Sequence, residues 1–201
     1  MTECSCDPRG LKAALRAHAQ KARQALPDKD ELSRRVWEKV FALPEYLAAR
    51  TLMAYLDLPA EVRTRPFVWT ARGQGKQVVV PYCEGDELGL FRLDDLGELE
   101  AGTLGILEPR IELRARPEKR VAPAELDLVL APGVAFDRQG GRLGHGKGYY
   151  DRLLRRVRRG ASLVGLAFEC QLVAAVPMLA HDVPMHKVVT ENAVYLNPRP
   201  G

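Results

Sequence analysis

Apolar positions along this chain recur first at a helical period and then as short continuous runs, and the switch between the two marks out the elements. Through 11–26, "LKAALRAHAQKARQAL", Leu11, Ala14, Leu15, Ala19, Ala22 and Leu26 fall at helical spacing with no glycine or proline between them. Pro27 ends that helix, and Asp28 or Asp30 is expected to cap a second through "ELSRRVWEKVFAL". The pattern then tightens. "RTLMAYLDL" at 50–58 reads as a strand, and "TRPFVWTARGQG" as a short helix started by Thr64 and closed by glycine. "KQVVVPY" at 76–82 is a buried strand rich in β-branched residues. Residues 85–110 hold a further strand, "LGLFRL", and a turn-rich segment, "AGTLGILEPR". The clearest buried strand is "ELDLVLAPG" at 125–133, which runs into a loop at 136–147 and a helix from Tyr149 to about Val157. "SLVGLAF" at 162–168 is another strand, and "HDVPMHKVVTENAVYL" reads as a loop followed by an edge strand.

Strands alternating with helices predict an α/β fold: one three-layer α/β/α domain over 1–201 with a largely parallel sheet, residues 1–10 forming a mobile tail. The 201 residues are 46% hydrophobic and 28% charged, a globular composition without the signature of disorder. The net charge of +4 is mild. Its only dense basic run, "RLLRRVRRG" from Arg152, interleaves Leu153, Leu154 and Val157, as a solvated helix face over an apolar stripe does. Nucleic acid is therefore not an expected partner, and a modest positive balance suits polyanionic ligands. No run approaches the ~20 apolar residues of a membrane span, so no membrane association is expected. The start of the chain has no apolar segment of a secretory signal. Cys4, Cys6, Cys83 and Cys170 form no CxxC pair and predict no zinc site. A cytoplasmic monomer is the expectation.

The chemistry concentrates after "DLVLAPG". Gly140, Gly141, Gly144, Gly146 and Gly148 punctuate a segment that also carries Arg142, His145, Lys147, Tyr149, Tyr150 and Asp151. Glycines let backbone N–H groups approach a ligand, the two cations add fixed charge, and the following helix adds its positive end. Together they predict a phosphate cradle. Gly141-x-x-x-x-Gly146-Lys147 has the spacing of a P-loop, but Gly148 stands where a Ser or Thr would bind Mg²⁺. Magnesium must then be held otherwise, and Asp151, one turn into the helix, is a candidate. Nor does the glycine order fit the dinucleotide fingerprint. One of Tyr149 and Tyr150 is expected to face a flat ligand.

"APGVAFDRQGGRLGHGKGYYDRLL" resembles the signature of the 5-formyltetrahydrofolate cyclo-ligase family, and "KAALR", "YLDLPAEVRT", "GILEPR" and "HDVPMHKVVTE" follow in that family's order. The resemblance implies ATP- and Mg²⁺-dependent closure of 5-formyltetrahydrofolate to 5,10-methenyltetrahydrofolate. It implies that Lys12 and Arg16, four residues apart on one helix face, contact ATP. It further implies that Arg142, Leu143, Gly144, His145, Gly146, Lys147, Gly148, Tyr149 and Tyr150 form the nucleotide loop. Arg142 and Lys147 would stabilise charge in the reaction, Leu56, Glu61 and Tyr150 would line the folate site, and Asp151 and Asp182 would hold Mg²⁺. One position departs: where many members have a second Asp, four residues beyond Asp182, this chain has His186. Imidazole is a poor Mg²⁺ ligand, so His186 is not expected to bind the metal. The competing expectations are an ATP-dependent kinase or ligase acting on another amide or pterin, and a non-catalytic binder of folate or nucleotide.

Overall fold

The computed structural model describes residues 8–102 and 107–197. Its helices are α1 (Pro8–Ala25), α2 (Lys29–Phe41), α3 (Pro44–Ala48), α4 (Arg65–Gly73), α5 (Ile111–Arg114) and α6 (Tyr149–Leu154). Its strands are β1 (Thr51–Ala54), β2 (Gln77–Glu84), β3 (Glu87–Arg92), β4 (Leu99–Ala101), β5 (Leu107–Pro109), β6 (Leu128–Ala131), β7 (Ala135–Phe136), β8 (Arg142–Leu143), β9 (Ser162–Leu166), β10 (Lys187–Val189) and β11 (Val194–Leu196). Cys4, Cys6 and part of "AGTLGILEPR" lie outside the described residues. The first helix begins at Pro8, inside the stretch expected to be a tail.

Seven strands form a sheet in the order β11-β10-β9-β6-β1-β2-β3. The inner pairings are parallel, and only the two edges, β3 on β2 and β11 on β10, run antiparallel. The strands read as continuous apolar runs because both faces are covered. On one face Leu52, Ala54, Val78, Val80, Leu128, Leu130 and Val164 pack against Val36, Val40, Tyr46, Phe67 and Val68 from α2, α3 and α4. On the other, Met53, Val79, Val129, Ala131 and Leu163 meet Phe136 and Leu153 and Leu154 of α6. Alternation of side chains along each strand produces this division, and it is the three-layer α/β/α arrangement expected from the sequence.

Several local expectations are corrected. Asp28 sits at the N-cap of α2 with φ 49° and makes no side-chain capping bond. Thr64 does precede α4, but its hydroxyl points back to Tyr55 O, and Asp57 caps the helix instead, its Oδ1 accepting from Thr64 N at 2.9 Å and Arg65 N at 3.2 Å. The last segment forms the hairpin β10–β11 rather than a lone edge strand. Helix α6 stops at Leu154, short of Val157, as the chain tightens into turns in which Arg156 N bonds Leu153 O.

Candidate active site

Ligands in an open α/β sheet collect where the strand order reverses. Here the chain runs outward from β1 through β2 to β3, and β6 then returns to the free edge of β1. The crevice therefore opens beyond the carboxyl ends of β1 and β6, between the segment 55–64 and the segment 132–151.

The wall after β1 is built around two buried acids. Asp57, besides capping α4, faces Arg65 and Arg63. With the loop thus closed, Glu61 is buried at 6% exposure, and its Oε2 accepts the Leu58 N–H at 3.1 Å. Its other oxygen, Oε1, lies 3.8 Å from Arg23 Nη1. Leu56, next to Asp57 in the chain, is buried as well. Burial, first of all, raises the Glu61 pKa, and Asp57 adds to this, whereas the Leu58 N–H and Arg23 lower it.

The wall after β6 divides its glycines into two groups. Gly140 and Gly141 belong to the turn of the β7–β8 hairpin. Gly140 has φ 87°, and a Cβ there would fall 2.2 Å from Met185 O; one on Gly141 would fall 2.3 Å from the Asp137 carboxylate. Asp137 ties this turn together by accepting from Gln139 N, Gly141 N and Val176 N. The P-loop-like spacing from Gly141 is thus accidental, and the loop proper is Gly144–Gly148. Gly148, with φ 69°, is the N-cap of α6, a conformation that explains glycine where a P-loop has Ser or Thr. With only the six residues Tyr149–Leu154, α6 also contributes less dipole than the sequence pattern promised.

The two tyrosines part. Tyr149 donates to Gly85 O at 3.1 Å and so fastens α6 to the β2–β3 turn. Tyr150 lies under the Arg142 guanidinium, 5.4 Å from ring centroid to Cζ. Burial, and then the nearby Glu61 charge, push the Tyr150 hydroxyl well above its ordinary pKa, so it stays protonated. Arg142 is itself 5% exposed, bonds Asp151 Oδ1 through Nη2 at 2.9 Å, and has a buried Nε with no protein partner. Leu143 turns into the core with Ala19, Val134, Ala135 and Val176, so its side chain serves the scaffold. Lys147 is exposed, its ammonium 6.0 Å from the Tyr149 ring centroid.

Helix α1 crosses this wall. Lys12 pairs with Asp182 Oδ2 at 2.7 Å, and Arg16 Nε donates to Gly144 O at 2.9 Å. Partial desolvation, then the charges of Arg23 and Arg16, lower the pKa of His145 and favour its neutral form.

The acids expected to hold Mg²⁺ are both present at this rim. Asp151 Oδ1 takes the bonds from Arg142 and from Val183 N, and Asp182 Oδ2 those from Lys12 and Leu179 N. Among the described residues no three His, Cys, Asp or Glu side chains gather as a metal cage. A pair of carboxylates fits an ion that takes most of its ligands from phosphate and water, as Mg²⁺ does. His186 accepts the Leu163 N–H at Nδ1 and lines an apolar hollow with Leu154, Val157, Val183 and Pro184, to which none of the acids or loop glycines above contributes.

Residues 9–191 match the model of the 5-formyltetrahydrofolate cyclo-ligase family. The chain belongs to that family. It is 31% identical over 182 residues to the 5-formyltetrahydrofolate cyclo-ligase of Escherichia coli (strain K12), covering 88% of this chain and 97% of that one. The solution NMR structure of 5,10-methenyltetrahydrofolate synthetase from Aquifex aeolicus matches with a TM-score of 0.80 and 34% identity over 95% of both chains. The synthetase from Mycoplasma pneumoniae, at 24% identity, has the same fold, with a TM-score of 0.71 over 90% of this chain and 98% of that one. Within this family frame, the sequence motifs missed Asp57, Asp137 and Arg23, which shape or line the site. Arg23 left one signal, since it follows Lys12, Arg16 and Ala19 along a single face of α1.

Proposed function

We propose that this chain uses ATP to close 5-formyltetrahydrofolate to 5,10-methenyltetrahydrofolate, releasing ADP and phosphate. The observation that carries the reading is the opposition, across one crevice, of a buried carboxylate, Glu61, and a buried cation, Arg142, that lies over the half-buried Tyr150. An anionic acceptor recognises the amino and N–H edge of a pterin, while a cation and a hydroxyl donor suit an oxygen that gains charge.

A formyl amide has a poor leaving oxygen. Transfer of the γ-phosphoryl group of ATP to that oxygen makes it a good one; N10 attacks the formyl carbon and gives up its proton to solvent, the C–O bond breaks, and the oxygen departs in phosphate. The protein's work is positioning and charge stabilisation. Lys12, Arg16 and the Gly144–Gly148 loop hold the phosphates, and Arg142 and Lys147 meet the charge that passes between ATP and the formyl oxygen. His145, Tyr149 and the backbone of Leu143 complete the nucleotide wall. Leu56 and Tyr150 pack the folate whose pterin Glu61 anchors. Asp151 and Asp182 would hold Mg²⁺, which neutralises phosphate charge when bound.

Cys83 and Cys170 are free thiols, and no helix among the described residues is long and apolar enough to cross a membrane; a cytoplasmic monomer belongs to the same proposal. The test is to mix the purified protein with 5-formyltetrahydrofolate, ATP and Mg²⁺. The methenyl chromophore should appear with one ADP per product. ADP without the chromophore would favour a kinase or ligase with another substrate, and binding without either product a non-catalytic role.

A further inference from the structure

Arg23 is a buried cation to which the mechanism gives no task. It lies near the end of α1 at 5% exposure, where a charge is costly unless it is paired and hydrogen-bonded. Nη1 donates to Gly133 O at 3.3 Å, just past β6, and the same carbonyl accepts Gln171 Nε2 at 2.9 Å. Nη1 also stands 3.8 Å from Glu61 Oε1, and Nε is buried without a protein partner. The Leu58 N–H occupies Oε2 only, and Arg23 is the cation that faces the other oxygen of the Glu61 carboxylate, at ion-pair rather than hydrogen-bond distance.

We propose that Arg23 is a positioning residue for the reduced folate, holding Glu61 as an oriented anion toward the pterin. The proposal rests on the reading of Glu61 as the folate anchor. Lys12, Arg16 and Arg23 share one face of α1 and reach, respectively, Asp182, the glycine loop and Glu61. One rigid helix thus sets the distance between the phosphate end of the crevice and its pterin end.

Glu61 is faced by Arg23 from α1, by Asp57 of its own loop, by Tyr55 at the end of β1 and by Tyr150 from α6. The two tyrosines are neutral, and Asp57 is negative, so Arg23 is the cation that, together with the Leu58 N–H, opposes the upward push of burial on the Glu61 pKa. Its loss should let Glu61 take up a proton at higher pH, and the protonated acid can no longer accept from two pterin donors.

The test is kcat/KM for 5-formyltetrahydrofolate against pH, with KM for ATP measured alongside, in Arg23→Gln, Arg23→Lys, Glu61→Gln and the Arg23→Gln/Glu61→Gln pair. Arg23→Gln should raise KM for the folate at least tenfold, leave KM for ATP within about twofold, and move the acid limb up by about one pH unit. The paired variant should be no worse than Glu61→Gln alone. Arg23→Lys keeps the charge and should keep the acid limb near that of the wild type, which tests the idea even where Arg23→Gln does not fold. A folate KM raised in Glu61→Gln but unchanged in Arg23→Gln, or an acid limb displaced fully in Arg23→Lys, overturns the role of Arg23 alone. A folate KM unchanged in Glu61→Gln overturns the reading of Glu61 and this proposal with it.

Discussion

Arg142 and Asp151 meet at 2.9 Å, with the guanidinium side chain 3% exposed and the carboxylate 20% exposed. The acid that would help hold the metal is therefore also the counter-ion of the cation placed to meet the reacting phosphoryl group. Asp151→Asn should accordingly have two consequences. Melting of the ligand-free protein should shift down by about 1–3 kcal/mol of stability, because a hydrogen bond to a buried charge weakens. The magnesium concentration for half-maximal rate should rise clearly. A magnesium series beside a melting curve checks both, and an unshifted magnesium curve removes Asp151 from the metal site.

Lys147 makes the opposite case. It is exposed on the glycine loop, with its ammonium near the Tyr149 ring. Lys147→Ala should leave the melting temperature unchanged and lower kcat by about a hundredfold or more, as loss of a transition-state charge contact does. Near-normal turnover in the folded variant would remove Lys147 from the phosphate cradle.

Gly148→Ser supplies the hydroxyl that a P-loop offers Mg²⁺, but at φ 69°. An L-residue held in that region costs about 1–2 kcal/mol, and its Cβ would lie 3.0 Å from Arg152 Nη1. The variant should melt lower and need no less magnesium than the wild type. A lowered magnesium requirement would mean that the loop can work as a P-loop after all.

Asp182 gives a pH dependence. Burial would raise its pKa, but the bonds from Lys12 and Leu179 N and the Lys12 charge bring it below the ordinary Asp value. A carboxyl whose folded pKa is depressed stabilises the fold above its unfolded pKa and loses that contribution as pH falls through the folded value. Asp182→Asn should thus melt below the wild type at pH 7, and the gap should close as the pH is taken below about 3.8. Paired melting curves across that range decide it; a constant gap would contradict the ion pair with Lys12.

Much of this was legible in the sequence where one physical cause acts locally. Runs such as "LVLA" at 128–131 announced buried strands because the sheet is covered on both faces, and the loop 144–148 announced itself through its glycines and cations. What stayed hidden depends on contacts distant in the chain. Gly140 and Gly141 look like ligand-approach glycines until Met185 and Asp137 are seen packed against them. Arg23 looks like one more basic residue on an amphipathic helix until β6 and the loop after β1 bury it.

The central claim is that ATP activates the formyl oxygen itself, and isotope tracing tests it most directly. 5-Formyltetrahydrofolate carrying ¹⁸O in the formyl group is turned over with unlabelled ATP, and the released phosphate is analysed by mass. Transfer of the oxygen requires one ¹⁸O atom in each phosphate formed with the methenyl product. Unlabelled phosphate accompanying that product would contradict phosphorylation of the formyl oxygen.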